Sequence, residues 1–332
     1  MQGQDDQPLV AVTGPSGHVG ANLVRALLAA GGRVRAVVRG NSEGIDGLSV
    51  EVVRADVLDR ESLVRAFGGA ACVYHLAAKV SAGWESPALV NEVNVTGTEN
   101  VVAACMAVRI PRLVHFSSIQ ALAPVRGLVD ESCPLVEAGA DGGVYDLAKA
   151  RAERHVLAAC ARGLDAVILN PTAVIGPFDF RPSPMGETLL ALARGKLPGL
   201  VGGSTCDFVD VRDVVAAALV AQRQGRSGQR YILSGTRLSL VALAQRWAQV
   251  TDRSPPRLVV PMALARTVAP VASAWARLRG RRPLFTSESL RVLRTQCPAS
   301  RAVAEAHLGY RPRPLDETLR DTHAWWKAQG KL

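Results

Sequence analysis

LVAVTGPSGHVG, residues 9–20, joins an apolar run to a turn in which glycine occurs at every third position. The apolar residues predict a buried strand ending at Thr13, and a helix is predicted to start near Val19. In such a turn, backbone reversal, close approach to a pyrophosphate and close helix-to-strand packing each exclude a Cβ atom. The helix amino terminus then presents free N–H groups to phosphate oxygens. An ordinary strand-to-helix turn is the alternative, but the helix that ends at Gly31-Gly32 favours a dinucleotide site.

Downstream of this turn, strand and helix patterns alternate. Further apolar strands are predicted at 34–38, 50–54, 72–76, 113–117 and 166–170, with helices at 62–67, at 90–107 and around Tyr145. Such alternation is typical of a parallel sheet covered by helices on both faces. After Pro171 the rhythm loosens: short strands are predicted at 208–211 and 231–233, and the chain is interrupted by Pro177, Pro182, Pro184 and Pro198.

The expected fold is therefore α/β, with a doubly wound parallel Rossmann sheet over residues 8–170. A smaller, mostly helical carboxy-terminal substrate lobe follows over residues 171–330, and some of its elements are expected to return to the first domain. The site is predicted between the two.

Composition bounds the class of protein. The 332 residues are 48% hydrophobic and 20% charged, which suits a globular protein with one large core or two modest ones. The six cysteines show no C-x-x-C spacing, so neither a metal site nor a disulfide framework is expected. Residues 1–8 are polar rather than a basic and apolar leader, and no apolar run of about 18 residues follows. We expect a cytoplasmic protein.

The net charge of +10 admits nucleic acid, an anionic membrane surface or an arginine-rich composition as its explanation. No aromatic residues are interleaved with the arginines, as a nucleic-acid groove requires. We therefore expect no nucleic-acid partner.

Six motifs carry a family resemblance. They are the glycine turn from Thr13, His75-Leu76-Ala77-Ala78, Asn94-Val95-Thr96-Gly97-Thr98, Ser117-Ser118, Tyr145-x-x-x-Lys149 and Asn170-Pro171-Thr172. In this order they resemble the extended short-chain dehydrogenase/reductase superfamily, also called the NAD-dependent epimerase/dehydratase superfamily. The likeness extends to residues 308–312. The chain looks most like the branch of 3β-hydroxysteroid dehydrogenases, dihydroflavonol reductases and hopanoid-associated epimerase-like proteins.

Tyr145 and Lys149 are the predicted proton-transfer pair. A phenol titrates near pH ~10, and Lys149 lies one helical turn away with a charge that favours the phenolate, so Tyr145 is predicted to be the general acid/base. The resemblance implies that Lys149 also holds the nicotinamide ribose. It further implies that Ser118, with Ser117 as the alternative, hydrogen-bonds the reacting oxygen. The residue before the lysine, often serine in the family, is Ala148.

The cofactor is expected to be NADP(H) or NAD(H), with NADP(H) favoured. NAD-selective relatives end the second strand with an acidic residue, whereas Arg39 follows that strand here and can clamp a 2′-phosphate. An exposed strand-end charge is the alternative reading of Arg39. By resemblance, Asp56 meets the adenine and Asn94 lies near the nicotinamide. The full predicted set is Thr13, Gly14, Ser16, Gly17, His18, Val19, Gly20, Arg39, Asp56, Val57, Leu76, Ala77, Ala78, Lys79, Asn94, Ser117, Tyr145, Lys149, Asn170, Pro171, Thr172 and Val174.

The substrate is predicted to be lipophilic. Nucleotide-sugar enzymes of the family carry a diphosphate-binding arginine before an acidic-aromatic pair, and Cys206 stands at that place before Asp207-Phe208. A neutral thiol cannot pair with a diphosphate, although Arg212 or another arginine is an alternative partner. The predicted substrate contacts are Ser118, Ile119, Gln120, Val80, Trp84 and Phe178.

Residues 261–282 give a second indication. Apolar residues including Trp275 are followed by Arg277, Arg279, Arg281 and Arg282, a pattern typical of a helix on an anionic membrane or over a lipophilic substrate. A core helix with a solvated basic end is the alternative. Steroid dehydrogenases of the resembling branch carry a membrane-associating segment here, so peripheral contact with the inner face of the membrane is expected.

The sequence thus predicts an NAD(P)-dependent oxidoreductase that interconverts a secondary alcohol and a ketone on a sterol-, hopanoid- or polyketide-like molecule. A sugar or nucleotide-sugar epimerase/dehydratase is the alternative, and a non-catalytic cofactor sensor is a lesser one. Family members are commonly dimers through the long helices near 90–107 and 144–161, so a homodimer is expected.

Overall fold

Seven parallel strands form the main sheet of the computed structural model, which describes residues 7–40, 42–81, 85–123, 127–139, 142–197, 199–278, 286–295 and 297–332. Its spatial order is β3-β2-β1-β4-β5-β6-β10. Within the described residues the strands are β1 Leu9–Thr13, β2 Arg33–Val38, β3 Glu51–Arg54, β4 Cys72–His75, β5 Leu113–Phe116, β6 Ala166–Pro171, β7 Ala173–Ile175, β8 Leu200–Gly202, β9 Thr205–Asp210, β10 Arg230–Leu233, β11 Thr236–Ser239 and β12 Val259–Pro261.

The predicted doubly wound sheet is confirmed, and its order reverses between β1 and β4. Thr13 pairs in register with His75, and His75 pairs with His115 on β5, so the carboxyl ends of these strands form one edge. In open α/β sheets, ligands bind in the crevice at this reversal. The predicted strand at 231–233 is β10, which joins the main sheet beside β6 although it comes late in the chain.

Two layers of helices cover this sheet. One layer packs α1, α7 and α11 on one face, and the other packs α2, α4 and α5 on the opposite face. The helices are α1 His18–Ala29, α2 Arg60–Phe67, α3 Pro87–Asn91, α4 Gly97–Ala107, α5 Val144–Cys160, α6 Pro184–Ala193, α7 Val211–Gln224, α8 Leu240–Thr251, α9 Met262–Leu278, α10 Ser287–Thr295, α11 Ala302–Leu308 and α12 Leu315–Ala328.

Two predicted boundaries need correction. The helix predicted at 90–107 begins at Pro87 and contains a π-helical turn over Glu92–Thr96 between α3 and α4. The strand predicted at 208–211 ends at Asp210, because the Asp210 carboxylate accepts the backbone N–H of Arg212 (2.7 Å) and caps α7 from Val211 onward.

The second half of the chain builds its own core from α6, α8 and α12 with β8 and β9. Trp247 is fully buried there and donates its indole N–H to the carbonyl of Leu189 (2.9 Å). This part holds a three-stranded sheet, β11-β9-β7, and the pair β12-β8, in addition to its helices. Several sequence predictions lie outside the described residues or side chains, namely those for Trp84, Pro198, Val271, Ala272, Arg277, Arg279, Arg281 and Arg282.

Candidate active site

The glycine turn leaves open space at one position only. Gly14 has φ +68°, and a Cβ there would lie 2.7 Å from the backbone nitrogen of Ala77. A Cβ at Gly20 would collide with the carbonyl oxygen of Gly14. At Gly17 the nearest atom, the same oxygen, would be at an ordinary 3.5 Å. Packing of the protein therefore explains Gly14 and Gly20, whereas Gly17 borders open space where the sequence predicts a pyrophosphate.

The amino terminus of α1 faces that space. Gly17 is its N-cap, no side chain caps it, and its first turn holds no acidic residue. The free N–H groups and the positive end of the helix dipole suit an anion. The ring of His18 is engaged elsewhere, because its Nε2 lies 3.1 Å from the carbonyl oxygen of Pro177. His18 can therefore contact the cofactor through its backbone N–H.

A chain of buried hydrogen bonds supports the turn from below. The Thr13 hydroxyl lies 2.8 Å from His75 Nδ1, and His75 Nε2 lies 3.0 Å from the Thr98 hydroxyl, which donates to the carbonyl of Asn94 (2.7 Å). Since the proton of Thr98 is used on a carbonyl, His75 must donate from Nε2 and accept at Nδ1. Burial, with a smaller effect of Lys149, lowers the pKa of His75 to about 3, which fits this neutral form.

Asn94 fixes the segment that follows β4. Its side chain accepts the backbone N–H of Lys79 (2.7 Å) and donates to the carbonyl of Lys79 (3.0 Å). Asn94 lies in the π-helical turn, a feature found often at functional sites. The Lys79 ammonium pairs with Glu85 at 2.8 Å, and Val80 beside it is exposed.

Tyr145 and Lys149 lie in the first turns of α5 and are 9% and 5% exposed. The Tyr145 hydroxyl lies beside the side chain of Ser118, and the Lys149 ammonium donates to the carbonyl of Phe116 (2.7 Å). Ser118 also accepts the backbone N–H of Gln120 (3.2 Å). The structure thus brings the three predicted catalytic residues together at the carboxyl end of β5.

The electrostatics of the pair are dominated by burial. Burial raises the pKa of Tyr145, the charge of Asp146 adds to this, and the neighbouring Ser118 side chain opposes it. Burial also lowers the pKa of Lys149 to about 8, opposed by Glu153. The predicted assistance of Lys149 to the phenolate is outweighed by burial in this state, so Tyr145 holds its proton and is set up as an acid.

Ser117 and Asn170 each place a polar atom without a hydrogen-bond partner at the same edge of the sheet, within the described part of the chain. Ser117 Oγ and Asn170 Oδ1 are buried, and within the described part of the chain neither has a hydrogen-bond partner. Buried polar atoms are rarely left unpaired, so these atoms fit a bound polar group such as a nicotinamide. Thr172 differs from the prediction, because its hydroxyl donates to the Asp207 carboxylate (2.7 Å). Pro171 ends β6, and Val174 lies in β7.

At the adenosine end, Arg39 is exposed directly after β2, and none of the described carboxylates pairs with it. Asp56 accepts the backbone N–H of Leu58 (3.0 Å) and so orders the turn after β3. A Cβ on Gly97 would approach the Val57 side chain at 2.9 Å, which packs α4 closely against this turn.

The predicted substrate residues are placed differently from one another. Ile119 and Gln120 form the 3₁₀ turn that starts at Ser118. The ring of Phe178 lies over the Arg25 guanidinium of α1 (4.7 Å) and 5.8 Å from the ring of Trp325. Phe178 therefore packs α1 against α12, and its contact with substrate stays a prediction.

Neither Cys206 nor Arg212 offers a free charge to a diphosphate. Cys206, which stands in place of the family's arginine, is buried in the carboxy-terminal core, and its thiol lies 4.0 Å from the carbonyl oxygen of Asp207. Arg212 binds Asp210 through Nε (3.0 Å) and Nη2 (2.7 Å) and reaches Asp321 with Nη1 (2.6 Å). The sequence did not reveal the pairing of Arg212 with Asp321, because Asp321 lies far along the chain.

Sequence reasoning also missed two buried ion pairs beside the catalytic helix. Glu153 binds Arg230 of β10 (2.5 Å), and Asp146 binds Arg291 of α10 (2.6 Å). Glu153 had a possible signal, since it continues the four-residue spacing of Tyr145 and Lys149. Asp146 and Arg291 had none.

The sheet order, the glycine turn and the Tyr145–Lys149 pair define an enzyme of the extended short-chain dehydrogenase/reductase type. The chain belongs to the NAD dependent epimerase/dehydratase family, which matches residues 10–234.

Individual relatives match from two thirds to nearly the full length of the chain. The chain is 36% identical over 328 residues to the "Sterol demethylase protein B" of Methylococcus capsulatus, covering 97% of this chain and 99% of that one. It is 35% identical over 231 residues to "4-hydroxy-2-methyl-3-oxo-4-farnesyl-3,4-dihydroquinoline-1-oxide ketoreductase" of Stigmatella aurantiaca, covering 67% of each. The solved structure of gox2253 is 31% identical with a TM-score of 0.86, covering 98% of this chain and 100% of that one.

Proposed function

We propose that this enzyme interconverts a secondary alcohol and a ketone on a lipophilic, sterol- or polyketide-like molecule. The observation that carries the proposal is that Tyr145, Ser118 and Lys149 come together at the carboxyl end of β5, at the edge of the sheet that borders the glycine turn. The names of the two relatives, one referring to sterol and one to a farnesylated ketone, support the class of substrate.

A bound nicotinamide would supply or accept the hydride in this reaction. Gly17, the first N–H groups of α1 and the Ser117 hydroxyl fit such a cofactor. For reduction, Tyr145 donates its proton to the carbonyl oxygen, which Ser118 orients, and it takes the proton back for oxidation. Lys149 stabilises the tyrosinate that forms when the proton leaves.

The preference for NADP(H) over NAD(H) rests on Arg39. Its exposed guanidinium follows β2, and the described residues offer it no carboxylate. A bidentate bond to a 2′-phosphate would give it a partner. The ratio of kcat/KM for NADPH to that for NADH measures this preference, and we expect it to exceed one.

The lipophilic class of substrate is supported by the burial of Cys206, by the pairing of Arg212 with Asp210 and Asp321, and by the outer face of α9. Met262, Ala265 and Ala269 of α9 face the core, whereas Leu264, Val268 and Trp275 point outward and are more than half exposed. The sequence placed Val268 and Trp275 on the same apolar helix as Met262 without separating these two faces. We infer that the outer face contacts an anionic membrane from which substrate is drawn.

We also infer a homodimer through the outer surfaces of α4 and α5. These helices pack on each other, and His155 of α5 lies 3.2 Å from Glu99 of α4 on their solvent side. Light scattering of the purified protein gives the mass directly.

The decisive experiment is a turnover assay with a lipophilic cyclic ketone and NADPH, followed at the nicotinamide absorbance band. We expect net oxidation of NADPH, and we expect Tyr145→Phe to abolish it while NADPH still binds. A sugar epimerase would convert its substrate with no net change in absorbance. Turnover retained by Tyr145→Phe, or epimerisation of a nucleotide sugar, would contradict the proposal.

A further inference from the structure

Glu153 is a carboxylate with no solvent exposure, one turn beyond Lys149 and two turns beyond Tyr145 on α5. A buried carboxylate is costly unless charged and hydrogen-bonding partners surround it. Glu153 has two such partners: Arg230 donates from Nε at 2.5 Å, and Asn170 donates from its amide at 2.9 Å.

Arg230 is itself fixed in place. Its Nη1 donates to the carbonyls of Glu131 (3.2 Å) and Cys133 (3.3 Å), and the Glu131 carboxylate accepts the backbone N–H of Ile232 (3.0 Å). The guanidinium is thus bound to the loop of Glu131 and Cys133, and that loop is bound to β10 through Ile232. In this position the guanidinium presents its Nε to Glu153. The position of the Glu153 carboxylate is therefore set by the sheet as well as by α5.

Asn170 connects Glu153 to the other side of the catalytic pair. Its amide nitrogen donates both to Glu153 (2.9 Å) and to the carbonyl of Ser118 (3.0 Å). Both amide protons are used, so the carboxylate fixes the orientation of the amide and the amide holds the backbone of Ser118. The Ser118 side chain in turn lies beside the Tyr145 hydroxyl.

The titratable and charged groups around Lys149 lie on three strands and on its own helix. His75 on β4 and His115 on β5 are buried, and the low pKa of each keeps it neutral. Arg230 on β10 lies behind Glu153, and the Tyr145 phenol holds its proton. Glu153 thus supplies the negative charge that opposes the effect of burial on Lys149.

We propose that Glu153 is a positioning residue of the active site, whose carboxylate balances the charge of Lys149 and, through Asn170, holds Ser118 against Tyr145. This rests on the proposed function only where turnover is the measurement. Its electrostatic part concerns the protein alone and can be tested without substrate or cofactor.

The test uses urea denaturation between pH 6 and 10 for the wild type, Glu153→Gln, Lys149→Met and the double variant. Removing the carboxylate should lower the pKa of Lys149 below its value of about 8. The interaction exists only while Lys149 is charged, so Glu153→Gln should destabilise most near pH 6 and less as the pH rises through about 8. In the Lys149→Met background, the cost of Glu153→Gln should not depend on pH.

Turnover provides a second measurement. The alkaline limb of the kcat profile should move to lower pH in Glu153→Gln, and Glu153→Asp should restore its position although kcat is lower. Asp213→Asn is the matched control, because Asp213 is also buried and bound to an arginine, Arg313 (2.9 Å), on α7 rather than at the site. We expect it to lose stability while its limb stays in place.

Parallel stability curves for the wild type and Glu153→Gln over the whole pH range would overturn the electrostatic role. A folded Glu153→Gln with an unshifted kcat limb would do the same. If Glu153→Gln does not fold, Glu153→Asp keeps the test open. Its shorter side chain leaves a longer gap to Asn170, which should reduce kcat with no change in the position of the alkaline limb. Absence of turnover in the wild type would count against the proposed function and leave the denaturation result standing.

Discussion

At the scale of single residues, the three glycines of the turn have separable reasons for being glycine. Gly14 and Gly20 are required by the protein's own backbone, whereas Gly17 meets no atom closer than an ordinary contact. The spacing of the glycines was sufficient to predict the turn. It could not distinguish these roles, because the atoms that crowd Gly14 belong to Ala77, far along the chain.

We expect Gly17→Ala to fold with nearly wild-type stability and to bind NADPH at least tenfold more weakly, because its methyl group enters the pyrophosphate space. Gly14→Ala should instead lose stability by roughly 1–3 kcal/mol, since a positive φ is unfavourable for alanine and its Cβ meets Ala77. Thermal unfolding and fluorescence titration with NADPH measure both quantities. Equal losses of stability in the two variants would contradict this division.

The motif residues come together at the carboxyl edge of the main sheet, and their contacts with a cofactor stay a prediction. Thr172 and His18 were predicted to touch the cofactor, and the structure directs the Thr172 hydroxyl to Asp207 and the His18 ring to Pro177. A motif records that a residue type recurs at a place in the chain. Whether its side chain faces a ligand or a neighbouring strand depends on contacts between distant segments.

At the scale of elements, apolar periodicity located the strands of the main sheet to within one or two residues. It failed at the π-helical turn Glu92–Thr96, because one extra residue in a turn hardly alters an apolar pattern. It also gave no indication that α10 lies against the start of α5. That contact joins residues 145 positions apart, and Gly143 leaves room for the Glu288 carboxylate beside it.

We expect the pair of Arg291 and Asp146 to fasten α10 to the catalytic helix. Arg291→Ala leaves the buried Asp146 carboxylate without its guanidinium, so the free energy of unfolding should fall by roughly 2–3 kcal/mol. The double variant Arg291→Ala/Asp146→Asn should recover part of that loss, because no buried charge remains. Urea denaturation of the wild type, Arg291→Ala, Asp146→Asn and the double variant gives the coupling free energy between Arg291 and Asp146.

Arg246→Ala is the matched control, since Arg246 pairs with Asp316 (3.2 Å) on an exposed surface, where ion pairs contribute little. A loss in Arg246→Ala as large as that in Arg291→Ala, or the absence of any recovery in the double variant, would show that the buried pair has no special role.

At the scale of the whole molecule, the sequence predicted the Rossmann sheet and the proximity of Ser118, Tyr145 and Lys149 because both are encoded in local patterns. The supporting ion pairs could not be predicted. Glu153 and Arg230 are 77 positions apart; only the four-residue spacing from Lys149 marks Glu153, and nothing near Arg230 in the chain marks that residue. Their pairing exists only because β10 returns to the main sheet beside β6.

The outer surface of α9 belongs to this scale, because the membrane contact proposed for it would orient the whole protein. Among the described residues, no helix combines the length and the apolar character needed to cross a bilayer. Leu264, Val268 and Trp275 nonetheless form an exposed apolar face, Trp275 being 57% exposed, on a chain with a net charge of +10. Apolar insertion and attraction to anionic lipid together favour peripheral binding.

We therefore expect the protein to sediment with vesicles that contain phosphatidylserine and to do so less at high salt. Replacing Leu264 and Val268 by serine should reduce the bound fraction at least tenfold, because burial of each side chain contributes about 1.5–3 kcal/mol. Val52→Ser is the control, since Val52 on β3 is equally exposed (53%) at the far edge of the main sheet. If Val52→Ser weakens binding as much as the α9 variant, or if neutral vesicles bind the protein equally well, α9 is not the membrane contact and its outer face remains available to a partner protein.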